Sequence, residues 1–189
     1  MSKEVKRFNK LLETEKTCLL IIDIQKRILP VIKDYELVVE NTLKLIKGFK
    51  AMGLPIYYTE QYPKGLGPTE EQIVNELDGI NPIEKMTFSC SGAGELFNIF
   101  NRKNYSQIVV CGIESHVCVQ QTVLDLIENG FQVNLAADAV SSRRKKDYNI
   151  ALNRMRTHGT EITTTESILF ELLNISGTDV FKQVSKIVK

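Results

Sequence analysis

Apolar residues along the chain recur in two alternating rhythms. Cys18-Leu-Leu-Ile-Ile-Asp23 is a continuous apolar run ending in a carboxylate, the pattern of a strand buried on both faces. Over residues 36–52, Val38, Leu45, Ile46 and Phe49 fall on one helical stripe, and Gly53 supplies a stop. Residues 55–59 read as a second strand, followed by a Gly- and Pro-rich loop over 61–68. Thr69 and Gln72 then spell a capping box for a short helix through Leu77. A short extended segment is expected around Glu84-Lys85-Met86, with a helix over 93–101 after it. Further strands are expected at 107–112, 131–136 and 161–163. Between and after them, helical spacing appears at Val119, Val123, Leu126 and Ile127, at Tyr148, Ala151, Leu152 and Met155, and over 166–174. A terminal helix carries Val180, Phe181, Val184, Ile187 and Val188 on one side.

Strands separated by helices long enough for crossovers imply an α/β fold: a three-layer, doubly wound, mostly parallel sheet of about six strands. The expected order is 3-2-1-4-5-6, as in Rossmann-like folds. No repeat, low-complexity tract or linker divides the 189 residues, so a single domain is expected over residues 1–189.

Composition narrows the partners. Hydrophobic residues make up 43% and charged residues 25%, and the formal net charge of +1 gives no global pull toward nucleic acid or an anionic membrane. No apolar run approaches the roughly 20 residues that span a bilayer. Residues 1–16 are charged throughout and lack the apolar core of a secretory signal, so a cytoplasmic location is expected. The four cysteines, Cys18, Cys90, Cys111 and Cys118, form no CxxC pair and should be free thiols. Cys18 and Cys111 lie inside apolar runs and read as inert, whereas Cys90 and Cys118 lie outside them and could react.

Open α/β sheets bind ligands beyond the carboxyl ends of their strands, at the switch point in strand order. That rule selects Asp23, at the end of the first strand, and Cys118, across the turn that follows the fourth. In the expected order these strands are neighbours, so the two side chains would face one crevice. A thiol at a helix N-terminus can ionise more readily, and free N–H groups there can stabilise an oxyanion. A carboxylate can take the thiol proton, and an ammonium balances the charges; Lys85, beside the third strand, is the candidate. Each residue alone also has a plainer reading: a turn former for Asp23, a small buried hydrophobe for Cys118, surface charge for Lys85.

The same residues carry a family resemblance. Leu20-Ile-Ile-Asp23-Ile-Gln25, Glu84-Lys85-Met86-Thr87-Phe88-Ser89 and Val110-Cys-Gly-Ile-Glu-Ser-His-Val-Cys118-Val-Gln-Gln-Thr122 resemble three motifs of the isochorismatase-like cysteine hydrolases, in the family's order. The resemblance implies Asp23, Lys85 and Cys118 as a catalytic triad working through a thioester. It also implies a cis peptide before Glu114 that aims the Glu114 and Cys118 N–H groups at a substrate oxygen. Asp138-Ala-Val-Ser-Ser-Arg143 matches a further stretch, read as mainly structural. Thr59-Glu-Gln-Tyr-Pro-Lys-Gly-Leu-Gly67 is closest to the subgroup called isochorismatase domain-containing proteins. Nicotinamidases of the family hold a metal through Asp and His near the second strand. Here the only histidines are His116 and His158, so no metal and no cofactor are expected.

Gln25, Gln61, Tyr62 and Phe88 lie at or beyond strand ends and are candidates to line the pocket, with core packing an equal account of Phe88. His116, two residues before Cys118, is a weaker candidate for substrate contact, and His158 reads as a helix-end residue. The run Arg143-Arg-Lys-Lys146 reads as a solvated loop rather than a nucleic-acid patch. The expectation is a hydrolase of a small amide or related carbonyl compound, acting on a small-molecule substrate and forming a homo-oligomer. The alternatives are a binding or scaffolding module that keeps the fold, and a redox thiol with Cys111 as the nearest partner.

Overall fold

Six strands form one parallel sheet, as the alternation of the sequence predicts, in the order β3-β2-β1-β4-β5-β6 expected of a Rossmann-like fold. The computed structural model describes residues 5–189. The strands are β1 (Thr17–Ile22), β2 (Ile56–Gln61), β3 (Ile83–Lys85), β4 (Gln107–Ile113), β5 (Gln132–Ser141) and β6 (Glu161–Thr163). Helices α1 (Tyr35–Ala51), α2 (Pro63–Leu66), α3 (Glu71–Glu76), α4 (Leu96–Arg102), α5 (Gln120–Glu128), α6 (Lys145–Thr157), α7 (Thr165–Leu173) and α8 (Asp179–Ile187) connect or follow them.

The continuous apolar run of β1 is explained by its central place. All six of its residues are buried, because helices cover both faces of the sheet. Alternate side chains serve opposite layers. Leu19 and Ile21 pack with Leu45, Ile46 and Phe49 of α1, and with Ile168 and Leu169 of α7. Leu20 and Ile22 pack with Phe100 of α4, Val123 and Leu126 of α5, and Met155 of α6. Each such side chain contributes about 1.5–3 kcal/mol by leaving water.

β1 and β4 run side by side from Thr17↔Gln107 to Ile22↔Gly112, and the chain winds outward from them in both directions. Their carboxyl ends therefore border the switch-point crevice. At that border Gly112 has φ +126, and an added Cβ would lie 2.1 Å from the Ile22 carbonyl oxygen. Only glycine permits this approach.

Two expectations fail for local reasons. Thr69 does not cap α3, which begins at Glu71 without a side-chain cap. Its N–H and hydroxyl instead donate to the buried Glu60 Oε1 at 2.7 and 2.8 Å, which that carboxylate needs more than the helix does. The fifth strand extends past Ala136 to Ser141. Its second half, Ala137-Asp-Ala-Val-Ser141, has little β propensity, but Asp138 is held in place by accepting from Thr165 N and Oγ1 at 2.8 and 3.0 Å.

Candidate active site

Asp23 follows β1 directly, with a left-handed backbone, φ 53, which an Asp residue adopts more readily than most. Its carboxylate is buried and accepts from Thr59 Oγ1 at 2.7 Å and from Lys85 Nζ at 2.6 Å. Lys85 is the last residue of β3, two strands away, and its side chain is wholly buried. Its three N–H groups are shared among Asp23 Oδ2, Gln61 Oε1 (3.0 Å) and the carbonyl oxygens of Thr87 (3.2 Å) and Phe88 (2.9 Å). A buried ammonium persists only with such compensation.

The loop that supplies those carbonyls is fastened to the helix following Cys118. Ser89 Oγ and Ser91 Oγ donate to Asp125 Oδ2 at 2.5 and 2.7 Å. Cys90 N donates to Thr122 Oγ1 at 3.0 Å, and Thr122 Oγ1 donates to the Cys118 carbonyl at 2.7 Å. Packing thus couples the segment that holds the ammonium to the segment that holds the sulfur.

Cys118 lies within a π-helical turn, Ser115–Val119, that precedes α5, rather than at the start of a regular helix. Turns of this kind recur at functional sites. The expected easy ionisation of its thiol is not found. Burial and the adjacent Asp23 charge outweigh the opposing pull of Lys85, so the pKa is raised above the ordinary thiol range. The surroundings of the sulfur therefore favour the thiol over the thiolate.

Cys118 and Asp23 open onto one cavity of about 360 Å³. Gln61, Glu114 and Arg143 complete its polar wall, and Ile28, Leu66, Phe88, Ile113 and Val117 form the apolar remainder. The Ile113–Glu114 peptide bond is cis. Among the described residues, the Glu114 N–H donates to no protein acceptor. The Glu114 side chain is buried and accepts from Arg143 N (3.0 Å), Nε (3.1 Å) and Nη2 (2.8 Å). Burial pushes the Glu114 carboxyl up, but the hydrogen bonds and charge of Arg143 prevail and hold it below the usual range.

Five of the residues singled out from sequence therefore border the cavity or lie in its wall: Asp23, Gln61, Phe88, Glu114 and Cys118; Lys85 stands directly behind Asp23. Three do not border it. Gln25 is fully buried and braces the crevice, with Nε2 donating to the carbonyls of Gln61 and Gly67 and Oε1 accepting from Gln61 N. Tyr62 lies over Gly65, where an added Cβ would come within 2.3 Å of its ring. His116 Nδ1 is 2.9 Å from Ser142 Oγ. Cys90, thought open to reaction, is fully buried, and burial with the Asp23 charge pushes its thiol up to about 11. Arg143 is the residue that sequence reasoning passed over. The sequence puts it in a mainly structural stretch and in a basic run that looks solvated, yet its guanidinium clamps the carboxylate of a cavity residue.

Among the described residues no group of three or more His, Cys, Asp or Glu side chains is placed to hold a metal ion. No described helix is long and apolar enough to cross a membrane.

Comparison with known proteins agrees with this arrangement of strands. The isochorismatase domain family matches residues 17–167. Isochorismatase domain-containing protein 2 of Danio rerio is 36% identical over 176 residues, covering 93% of this chain and 88% of the relative. The solved structure of MAR1 ribonuclease from Caenorhabditis elegans superposes with a TM-score of 0.88 at 31% identity, covering 94% of this chain and 91% of that one. The YcaC gene product of Escherichia coli, described as an octameric hydrolase of unknown specificity, gives a TM-score of 0.88 at 21% identity, with 97% and 91% covered. A family domain that spans β1 through the first residues of α7, together with a relative covered over 88% of its length, places the chain in the isochorismatase family of hydrolases.

Proposed function

We propose that the protein is a cysteine hydrolase of a small amide or related carbonyl compound, with Cys118 as nucleophile, Asp23 as acid and base, and Lys85 as the group that holds Asp23 in place. The observation that carries this reading is the buried Lys85–Asp23 ion pair, which presents its carboxylate to a thiol in the same cavity. Burying two charges is costly, so a pair kept beside a cavity points to chemistry that apolar residues could not supply.

The neutral thiol sets the first step. As Sγ bonds to the substrate carbonyl carbon, its proton passes to Asp23, so a free thiolate need not accumulate. Charge developing on the carbonyl oxygen is received by the N–H groups of Glu114 and Cys118 at the turn. The C–N bond then breaks, Asp23 returns the proton to the departing amine, and a thioester remains. Water adds to that thioester while Asp23 takes a proton from it. The C–S bond breaks, and the proton returns to Cys118 as the acid leaves. Lys85 touches no reacting atom and acts throughout by holding Asp23.

Phosphodiester cleavage, suggested by the name of the C. elegans relative, draws less support. The cavity wall holds one guanidinium, and Glu114 already neutralises it. A binding module without turnover remains the competing reading, and the octameric relative supports a homo-oligomer in either case. Turnover of a panel of small neutral amides by the parent protein and by Cys118→Ala separates the two readings. We expect hydrolysis in the parent and none in the variant, and equal activity in both would overturn the proposal.

A further inference from the structure

The charges around the cavity form two closed pairs. Asp23 is matched by Lys85 at 2.6 Å, and Glu114 is matched by Arg143 through Nε, Nη2 and the backbone N. The groups that border the cavity directly are two carboxylates and one guanidinium, since Lys85 stands behind Asp23 and is not among the lining residues. The Cys118 thiol opens on the same cavity, and the proposed attack only moves negative charge from the Asp23 carboxylate to the carbonyl oxygen, adding no cation. A substrate bearing a carboxylate would therefore meet two carboxylates and a single guanidinium whose charge Glu114 already balances. The rest of the wall, Ile28, Leu66, Phe88, Ile113 and Val117, offers apolar surface. Phe88 is 55% exposed although it lines the cavity, so its ring stands at the mouth where an incoming apolar group would cover it.

We infer that the cavity selects an uncharged substrate, a carbonyl compound with a small apolar substituent, and rejects its carboxylate-bearing counterparts; this rests on the reading of Cys118 as nucleophile. The Glu114–Arg143 clamp is the specificity device. Arg143 taken alone would look like a carboxylate receptor, and Glu114 cancels that role.

Two acrylamides of matched size test this on the whole protein: N-propylacrylamide, and N-acryloyl-β-alanine, which ends in a carboxylate in place of the methyl. In each reaction Sγ bonds to the terminal alkene carbon and the thiol proton ends on the neighbouring carbon, so no other reactant is needed. Saturation kinetics of labelling are read by intact mass and peptide mapping. We expect the neutral probe to label Cys118 at least about tenfold more efficiently, since placing like charges together in a confined site costs that much or more. In Glu114→Gln, which leaves Arg143 uncompensated, the carboxylate probe should recover about tenfold relative to the neutral one. Saturable labelling of Cys118 led by the carboxylate probe in the parent protein would overturn the inference and leave the nucleophile reading intact. Labelling of Cys118 by neither probe would overturn both.

Discussion

Replacing Lys85 by methionine keeps most of the side-chain volume and removes the ammonium from a site with no exposed side-chain surface. Asp23 then keeps the hydrogen bond from Thr59 Oγ1 but no cation, and Gln61 Oε1 and the carbonyls of Thr87 and Phe88 lose their donor. Breaking a buried ion pair from one side costs about 3–5 kcal/mol, because an uncompensated charge stays behind. With a urea dependence of about 2 kcal/mol per molar for a chain of this size, the unfolding midpoint should fall by about 2 M. The double variant Asp23→Asn, Lys85→Met removes the stranded charge and should regain about half of the loss, although it lacks the acid–base group. Urea titrations at neutral pH, followed by both circular dichroism and intrinsic fluorescence, give the three midpoints. A single variant within about 1 kcal/mol of the parent, or a double variant no more stable than the single, would refute the idea that the pair is a buried and mutually dependent unit.

Other consequences are open to similar checks. Gly112→Ala should lower the melting temperature markedly, with a loss above about 3 kcal/mol, because its Cβ would collide with the Ile22 carbonyl at a positive φ; a melt within a degree or two of the parent would contradict the close approach of β1 and β4. Asp138→Ala should cost about 1–2 kcal/mol in chemical denaturation by leaving Thr165 N at the start of α7 without its acceptor. The buried thiols of Cys90 and Cys111 are raised to about 11 and about 12, above their unfolded value of about 8.5. The unfolded chain therefore ionises first. Their contribution to stability is complete below about pH 8.5 and is lost as pH rises toward the folded values, at up to about 1.4 kcal/mol per unit for each thiol. Urea midpoints at pH 8 and 10 should show that decline, and Cys90→Ala should make it shallower.

How much of this was readable in advance depended on whether the signal was local. The runs at Cys18–Asp23 and Gln107–Gly112 are apolar on both faces, so their central place in the sheet could be read from their neighbours in sequence. With the strand order of a Rossmann-like fold assumed, the carboxyl-end rule brings Asp23 and Cys118 to one crevice. Lys85 needed the resemblance of its motif, because a lone lysine beside a short strand has no pattern of its own. What escaped were pairings between distant segments. Arg143 sits in a run of basic residues that looks solvated, and nothing nearby shows that Glu114, 29 positions earlier, will take it. The link from Thr122 and Asp125 to the loop that holds Lys85 spans more than thirty positions and has no period. Gln25 shows the opposite error: a polar residue just beyond a strand end looks the same whether it faces a ligand or braces a loop, and here it braces Gln61 and Gly67. The easy ionisation expected for Cys118 assumed a regular helix start, whereas burial and a neighbouring carboxylate govern the thiol.

The most direct measurement follows the covalent intermediate. The protein is mixed rapidly with an activated acetyl ester, quenched in acid within one turnover, and mapped by mass spectrometry. The account predicts a single acetyl thioester on Cys118 in the parent protein, and its near absence in Asp23→Asn, where the proton has no acceptor. Acetylation spread over surface lysines, or formed on Cys118 equally fast without the Asp23 carboxylate, would contradict it.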